Sequence, residues 1–162
     1  MSETFSMLPD TPENRELADN VPPRGWINPE PAGRYNLVVV GGGTAGLICA
    51  AGAAGLGARV ALVERRLLGG DCLNFGCVPS KGIIRASRAL FDSRNSAHFG
   101  VLGGEKIGFD FAAAMERMRR LRSSISRHDS ATRFRHELGV DVFIGNGSFV
   151  SRDCLEVGRD QS

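Results

Sequence analysis

The sequence predicts a doubly wound α/β domain, in which helices cover a parallel sheet before the chain begins an antiparallel β-meander. Two short apolar runs, residues 36–40 and 59–64, lie on either side of a helix of small residues, which is the order of a β-α-β unit. A third apolar run, residues 140–144, follows helical stretches and is expected to return as the next parallel strand. The 162 residues are enough for one domain with a sizeable core.

The first strand leads directly into a glycine-rich turn that is typical of a dinucleotide site. A helix follows the turn and runs to about Gly57, and the turn itself consists of Gly41, Gly42, Gly43, Thr44, Ala45 and Gly46. In such a turn Gly41 permits the sharp bend, Gly43 lets the backbone approach a pyrophosphate, and Gly46 lets helix and strand pack closely. Glycine runs also occur in plain turns, so the prediction depends on the strands and the acid that complete the pattern.

The second strand ends in an acid that suits a ribose. Glu64 lies 18 positions after Gly46, where a dinucleotide-binding fold carries a carboxylate that accepts hydrogen bonds from ribose hydroxyls. Because a carboxylate repels a 2′-phosphate, adenosine without that phosphate is favoured. Arg65 and Arg66 follow the strand and are interpreted as solvated charges rather than as a phosphate clamp.

Two cysteines, Cys72 and Cys77, lie five residues apart with Gly76 directly before the second. In a regular helix Cα atoms five apart are roughly 8 to 9 Å from each other, whereas a disulfide needs about 4.4 to 6.8 Å. A bridge therefore requires a distorted turn, which Gly76 can supply because it has no Cβ. The alternatives are a chance pair and half of a metal site, but zinc half-sites use closer spacings and need a second ligand pair. The spacing and its context favour a redox disulfide.

A helix is predicted to start near Cys77, with Pro79 at an early position, and to continue to about Phe91. Because the N-terminal end of a helix favours a thiolate, this placement predicts a lowered pKa for Cys77. A glycine-rich loop follows around residues 100–108.

The last third of the chain is predicted to hold one long helix over residues 111–138, with Gly139 as its C′ residue. After the strand at 140–144, residues 147–157 begin the meander. The helix carries a basic surface that is interpreted as a solvated face rather than a nucleic-acid site, because the net charge is only +2. Its arginines are Arg117, Arg119, Arg120, Arg122, Arg127, Arg133 and Arg135.

Residues 1–33 form a proline-rich arm, and residues 34–162 form the domain proper. The arm holds six of the seven prolines and many polar residues, so it is expected to be extended on the domain surface or disordered. It lacks the charged start and apolar core of a signal peptide, and no apolar run approaches the roughly 20 residues of a membrane span. The small number of cysteines fits a cytoplasmic protein.

The order of glycine turn, ribose acid and the motif at residues 69–81 resembles the pyridine nucleotide-disulfide oxidoreductases, the family of glutathione reductase, dihydrolipoamide dehydrogenase and mercuric reductase. The resemblance runs from about Tyr35 to Val157. Within the family, residues 28–31 and 77–85 look most like mercuric reductases. The resemblance implies a Rossmann-like FAD-binding domain, present here only in its N-terminal portion.

The resemblance also implies cofactor-binding roles. Glu64 matches the acid on the adenosine ribose of FAD, while Gly70 and Asp71 match a loop whose backbone contacts the flavin phosphates or ring. Lys81 resembles the lysine near flavin N5; the alternative is an ordinary lysine early in a helix. The residues that match the pyrophosphate loop for FAD are Gly41, Gly43, Thr44, Ala45 and Gly46.

The two cysteines take different roles by the same resemblance. Cys77 matches the thiolate that makes a charge-transfer contact with the flavin, and Cys72 matches the interchange thiol that attacks the substrate. The implied substrate is a small-molecule disulfide or a soft metal ion such as Hg(II), which the two thiolates would ligate transiently. No resident metal site is predicted.

The chain is expected to be the N-terminal part of a longer, homodimeric enzyme. It has no second glycine turn after Gly46 for the NADH or NADPH that the family uses as co-substrate, and none of the three histidines lies in the expected His-Pro context. Two alternatives stay open at this point. One is a non-catalytic flavin- or nucleotide-binding module, and the other is an inactive truncated product.

Overall fold

The computed structural model describes residues 7–158 apart from 22, 24 and 32. Its centre is a three-stranded parallel sheet with the strand order β1-β2-β3. Leu37 pairs with Val60 across the first ladder, and Ala61 pairs with Asp141 across the second. The strands are β1 (Leu37–Val40), β2 (Val60–Glu64) and β3 (Asp141–Ile144). The predicted parallel α/β sheet is therefore confirmed.

The sheet is covered differently on its two faces. On one face lies α2, after which the chain enters β2, and this helix contributes Leu47 and Ala50 to the main core. On the other face Ala61, Val63 and Phe143 pack against the antiparallel hairpin, which lies where the sequence predicts the start of a meander. The bounds of these elements are Thr44–Gly55 for α2, Asn146–Phe149 for β4 and Leu155–Gly158 for β5. In β1, Val38 and Val40 are 42% and 56% exposed.

The arm is helical where the sequence analysis expects an extended chain. Helix α1 (Pro12–Asn20) begins at Thr11, whose side chain accepts a hydrogen bond from Asn14 N, and proline occupies the first helical position. Leu17 and Val21 are both fully buried in the main core. The expectation of an extended or disordered arm is thus wrong for this segment. Two apolar residues one helical turn apart, Leu17 and Val21, are enough to dock α1 on the core.

The arm then closes the outer edge of β3. The indole N–H of Trp26 donates to Val142 O at 3.2 Å, and the Asn28 side chain both donates to Ile144 O and accepts from Ile144 N. The Arg135 guanidinium lies 5.4 Å from the centre of the Trp26 ring. An amide side chain therefore satisfies backbone groups that a neighbouring strand would otherwise satisfy.

The helical layer holds the cysteine motif and two later helices. The glycine-rich loop at 100–108 is flanked and interrupted by short 3₁₀ turns at Ser96–Phe99 and Gly104–Lys106. The α-helices are α3 (Gly70–Asn74), α4 (Cys77–Arg94), α5 (Phe111–Ser126) and α6 (Ala131–His136). Within the described residues, no helix is both long and apolar enough to cross a bilayer.

The single helix predicted over 111–138 is wrong, since the structure divides it into α5 and α6. Ser130 is the N-cap of α6, and its hydroxyl accepts a hydrogen bond from Arg133 N at 3.2 Å. A serine that binds the backbone three residues ahead competes with helix continuation, which explains the break. Gly139 has a φ of 68° and follows the C-cap Glu137 by two residues, so it ends the segment slightly later than a C′ residue.

The docking of α1 yields a stability prediction. Leu17→Ala removes a fully buried side chain and should lower the free energy of unfolding by about 2 to 5 kcal/mol. Leu56→Ala is the matched control, because Leu56 is 90% exposed and its loss should cost less than roughly 0.5 kcal/mol. Urea unfolding followed by circular dichroism measures both, and equal losses in the two variants would contradict the docking of α1.

Candidate functional site

The glycine turn after β1 forms a sharp bend against the start of α2. Gly41 has a φ of 103°, a conformation open to glycine. A Cβ on Gly46 would overlap the carbonyl oxygen of Gly41, so helix and strand cross as closely as the sequence predicts. Gly43 is the N-cap of α2 and provides no side-chain cap, which leaves the first N–H groups of the helix available to an anion.

Glu64 holds the glycine turn in place. Its buried carboxylate accepts a hydrogen bond from Gly42 N at 2.6 Å and another from Arg66 N at 2.7 Å. The sequence analysis assigns Glu64 to a ribose and misses this backbone role. Each carboxylate oxygen can accept more than one hydrogen bond, so the two roles are compatible.

A second glycine pair brings the cysteine motif against this turn. Gly69 N donates to Gly42 O at 2.8 Å, and Gly69 forms a parallel bridge with Gly43. A Cβ on Gly70 would lie 2.8 Å from the Cα of Gly43, so only glycine fits at that contact. The segment that begins α3 therefore lies directly on the segment that begins α2. Sequence reasoning placed Gly70 near the cofactor but did not predict this backbone contact.

The two cysteines lie on different helices, because the chain breaks between α3 and α4. Cys72 is in α3, and Cys77 is the first residue of α4. At the break the Asp71 carbonyl accepts hydrogen bonds from the N–H groups of both Phe75 and Gly76. A Cβ on Gly76 would lie 2.5 Å from the Asp71 carboxylate. The predicted distortion is thus a complete interruption of the helix, and a side chain at position 76 would displace the Asp71 carboxylate.

The thiols of Cys72 and Cys77 are free in this structure, and each thiol shifts the pKa of the other. The hydrogen bond from Cys77 is the main cause that lowers the pKa of Cys72, and a second hydrogen bond from the Thr44 hydroxyl acts in the same direction. The same contact raises the pKa of Cys77. In the dithiol, the neighbouring sulfur therefore opposes the effect expected from the helix end.

Charged groups act on the pair from two sides. Lys81 lies one helical turn after Cys77 on α4, and its ammonium lowers the pKa of both thiols. Asp129, in the loop between α5 and α6, raises the pKa of Cys72 through its negative charge. Burial raises the pKa of Asp129 itself. The sequence analysis missed Asp129, because only the break between α5 and α6 brings it toward Cys72.

The predicted site residues thus divide into two groups around one junction. The glycine turn, Thr44 and Glu64 lie on one side, and the segment from Gly70 to Lys81 lies on the other. The remaining cysteines, Cys49 and Cys154, are exposed free thiols outside this arrangement. Among the described residues, no group of three or more His, Cys, Asp or Glu side chains could hold a metal ion.

Comparison with known proteins decides the family. The model of the family described as pyridine nucleotide-disulphide oxidoreductase matches residues 35–151, which contain both halves of the junction. The chain belongs to this family. The resemblance drawn from the sequence motifs is therefore confirmed, and the α/β fold is that of a Rossmann-like FAD-binding domain in this family.

The similar proteins carry three different names. A dihydrolipoyl dehydrogenase of Acholeplasma laidlawii is 34% identical over 78% of this chain and 37% of its own length. A mercuric reductase of Bacillus cereus is 30% identical over 83% of this chain and 21% of its own length. A solved Cu(II) complex of the HOCl-induced flavoprotein disulfide reductase RclA from Escherichia coli superposes with a TM-score of 0.56 at 27% identity, covering 80% of this chain and 25% of that one. The chain thus spans well under half the length of these relatives.

The effect of Lys81 on the thiols yields a prediction for pH dependence. Lys81→Met removes a positive charge that lowers the pKa of Cys72, so that pKa should rise and less thiolate should be present at neutral pH. The alkylation rate of Cys72 near pH 7 should fall by roughly twofold, and added salt should reduce the difference because Lys81 is exposed.

Lys106→Met is the matched control, since Lys106 is the other lysine of the chain and does not act on the pair. Mass spectrometry of iodoacetamide-treated chain, sampled across a range of pH, measures the rate at Cys72. A pH profile that moves equally in both variants would show that Lys81 acts only through net charge.

Proposed function

We propose that this chain is the FAD-binding part of an FAD-dependent NAD(P)H oxidoreductase and carries its redox-active cysteine pair. The observation that carries the proposal is the backbone contact of Gly69 and Gly70 with Gly42 and Gly43, which places the segment of Cys72 against the start of α2. A dinucleotide whose diphosphate is held at this helix end lies next to the cysteine segment, and we propose that its flavin ring exchanges electrons with the two sulfurs. Residues 1–33 are proposed as an arm attached to the domain formed by residues 34–162.

The residues at the junction fit FAD. The uncapped N-terminus of α2 presents the N–H groups of Thr44, Ala45 and Gly46, which suit a diphosphate. Gly41 and Gly43 leave room for its approach, and the Glu64 carboxylate suits the adenosine ribose. Gly70 and Asp71 are proposed to contact the flavin side of the cofactor, as is Lys81. When bound, FAD supplies two-electron transfer between a nicotinamide and the dithiol.

The cysteines supply the chemistry at the substrate. The family resemblance assigns the attack to Cys72, and the Thr44 hydroxyl and the Lys81 ammonium both lower the pKa of this thiol. Its attack on a substrate disulfide forms a mixed disulfide and releases one substrate thiol. Cys77 then attacks Cys72, releases the second thiol and leaves the Cys72–Cys77 disulfide. A soft metal ion would instead be ligated by both thiolates.

The substrate class is proposed from the relatives' names, since one is a dihydrolipoyl dehydrogenase and another a mercuric reductase. NADH or NADPH as co-substrate, a homodimeric parent and a cytoplasmic location belong to the same proposal. A non-catalytic flavin-binding module is the second candidate. FAD binding without a reducible Cys72–Cys77 pair would favour the module.

Cofactor binding can be tested at Ala45, the exposed second residue of α2. Ala45→Asp places a negative charge where a helix N-terminus favours it, so the helix stays stable while a diphosphate is repelled. Ala45→Asn has nearly the same shape without the charge and is the matched control. FAD affinity, measured by calorimetric titration, should be about tenfold weaker for the aspartate variant than for the asparagine variant. Equal affinities would contradict a diphosphate at this helix end.

The redox pair can be tested by peptide mapping after the native chain has been oxidised with oxidised glutathione. We expect one disulfide between Cys72 and Cys77, because the chain break places them at the facing ends of α3 and α4, whereas Cys49 and Cys154 should form no protein disulfide. Cys77→Ala removes the partner and should leave Cys72 as a mixed disulfide with glutathione. A bridge from Cys72 to Cys49 or Cys154 would refute the assignment.

A further inference from the structure

A buried hydrogen-bond network connects the N-terminal helix to the segment that carries Cys72. Arg122 of α5 is buried, and its two terminal nitrogens point to different elements. Nη2 donates to Asn14 Oδ1 in α1 at 2.6 Å, and Nη1 donates to the carbonyl oxygen of Asn74 at 2.9 Å. Asn74 is fully buried and is the last residue of α3, two positions after Cys72.

The network reaches both ends of the cysteine segment. The Asn74 side-chain amide donates to Leu68 O at 3.1 Å and to Gly70 O at 2.8 Å, so it fixes the turn that enters α3. Leu68 N in turn donates to the carbonyl of Val21, the C-cap of α1, at 3.1 Å. Residues 68–74 are therefore held at both ends. Val21, the C-cap of α1, binds Leu68, and Arg122, which also binds Asn14 of α1, binds Asn74.

Packing alone does not account for this arrangement. Burial lowers the pKa of Arg122, with a smaller contribution from the charge of Arg119, and the two acceptors are neutral oxygens. Arg122 Nε and Asn74 Oδ1 have no hydrogen-bond partner within the part of the chain that the structure describes. Buried polar networks of this kind are often replaced by apolar side chains without loss of stability. The guanidinium does offer a rigid fork that fixes two acceptors relative to each other.

We propose that α1 positions the redox segment 68–74, with Arg122 as the positioning residue that connects Asn14 to Asn74. The inference rests on the proposed function, because the positioned group is the Cys72 sulfur of the exchange reaction. When the Asn14 acceptor is removed, Arg122 Nη2 loses its hydrogen bond and the guanidinium is no longer fixed. The Asn74 carbonyl then loses a donor that is held in one position. Cys72 then no longer keeps its place beside Cys77 and Thr44.

The test compares variants of the full chain. Asn14→Leu removes the acceptor, and Asn14→Asp keeps an acceptor oxygen at the same position. Asn20→Leu is the matched control, because Asn20 also lies on α1 and donates to Ser126 Oγ of α5 at 2.9 Å, away from the cysteine segment. Each variant is equilibrated with reduced and oxidised glutathione. One oxidised glutathione converts the dithiol to the Cys72–Cys77 disulfide and leaves as two reduced glutathiones, and mass spectrometry after alkylation gives the disulfide fraction.

Asn14→Leu should lower the equilibrium constant for disulfide formation by about tenfold. It should also slow alkylation of Cys72 near pH 7 by about threefold, because the thiolate fraction falls. Asn14→Asp and Asn20→Leu should both stay within about twofold of the unmodified chain. The inference would be overturned if Asn14→Leu left both the equilibrium constant and the alkylation rate of Cys72 unchanged. It would also be overturned if Asn20→Leu changed them by the same factor.

A replacement variant and a second readout separate failure of the positioning role from loss of folding and from failure of the proposed function. If Asn14→Leu shows no cooperative thermal unfolding, Asn14→Ala takes its place, since it removes the amide without adding a branched side chain. If the unmodified chain forms no Cys72–Cys77 disulfide, the proposed function fails. The alkylation rates of Cys72 in the same variants then decide the positioning role by themselves.

Discussion

The contact between two glycine pairs is the constraint on which the rest of the site depends. Gly42 and Gly43, at the start of α2, lie against Gly69 and Gly70, at the start of α3, and a side chain at Gly70 would separate the two segments. Because the backbones touch, the first turn of α2 and the Cys72 side chain come together at one point. The uncapped start of α2 and the segment of Cys72 are thus neighbours through backbone geometry alone.

The break between α3 and α4 shortens the distance between Cys72 and Cys77. A continuous helix would hold residues five apart too far from each other for a bond between sulfurs. The Asp71 carbonyl closes the end of α3 by accepting from both Phe75 and Gly76, and the missing side chain at Gly76 lets the Asp71 carboxylate approach. Cys77 can then begin a new helix.

Local pattern was sufficient for the sheet and the cysteine motif, whereas long-range contacts were needed for the rest. The strands and the glycine turn follow from short apolar runs and from residues that adopt special backbone conformations. Helix α1 was missed because the prolines of the arm concealed the cap at Thr11 and the spacing of Leu17 and Val21. The break at Ser130 was missed because an apolar stripe does not reveal where a capping serine competes with the helix. Arg122 resembled a surface arginine in the sequence, and only the packing of α1 on α5 buries it.

The acidity of Cys72 depends on geometry more than on charge. Its two strongest influences are hydrogen bonds from Cys77 and Thr44, while the charges of Lys81 and Asp129 act in opposite directions. Hydrogen bonds weaken steeply once distance or angle departs from a narrow range, whereas the attraction between charges falls slowly with distance. The thiolate is therefore sensitive to small displacements of α3 relative to α2. Groups that fix the ends of α3 thus affect the chemistry at the sulfur even though they do not touch it.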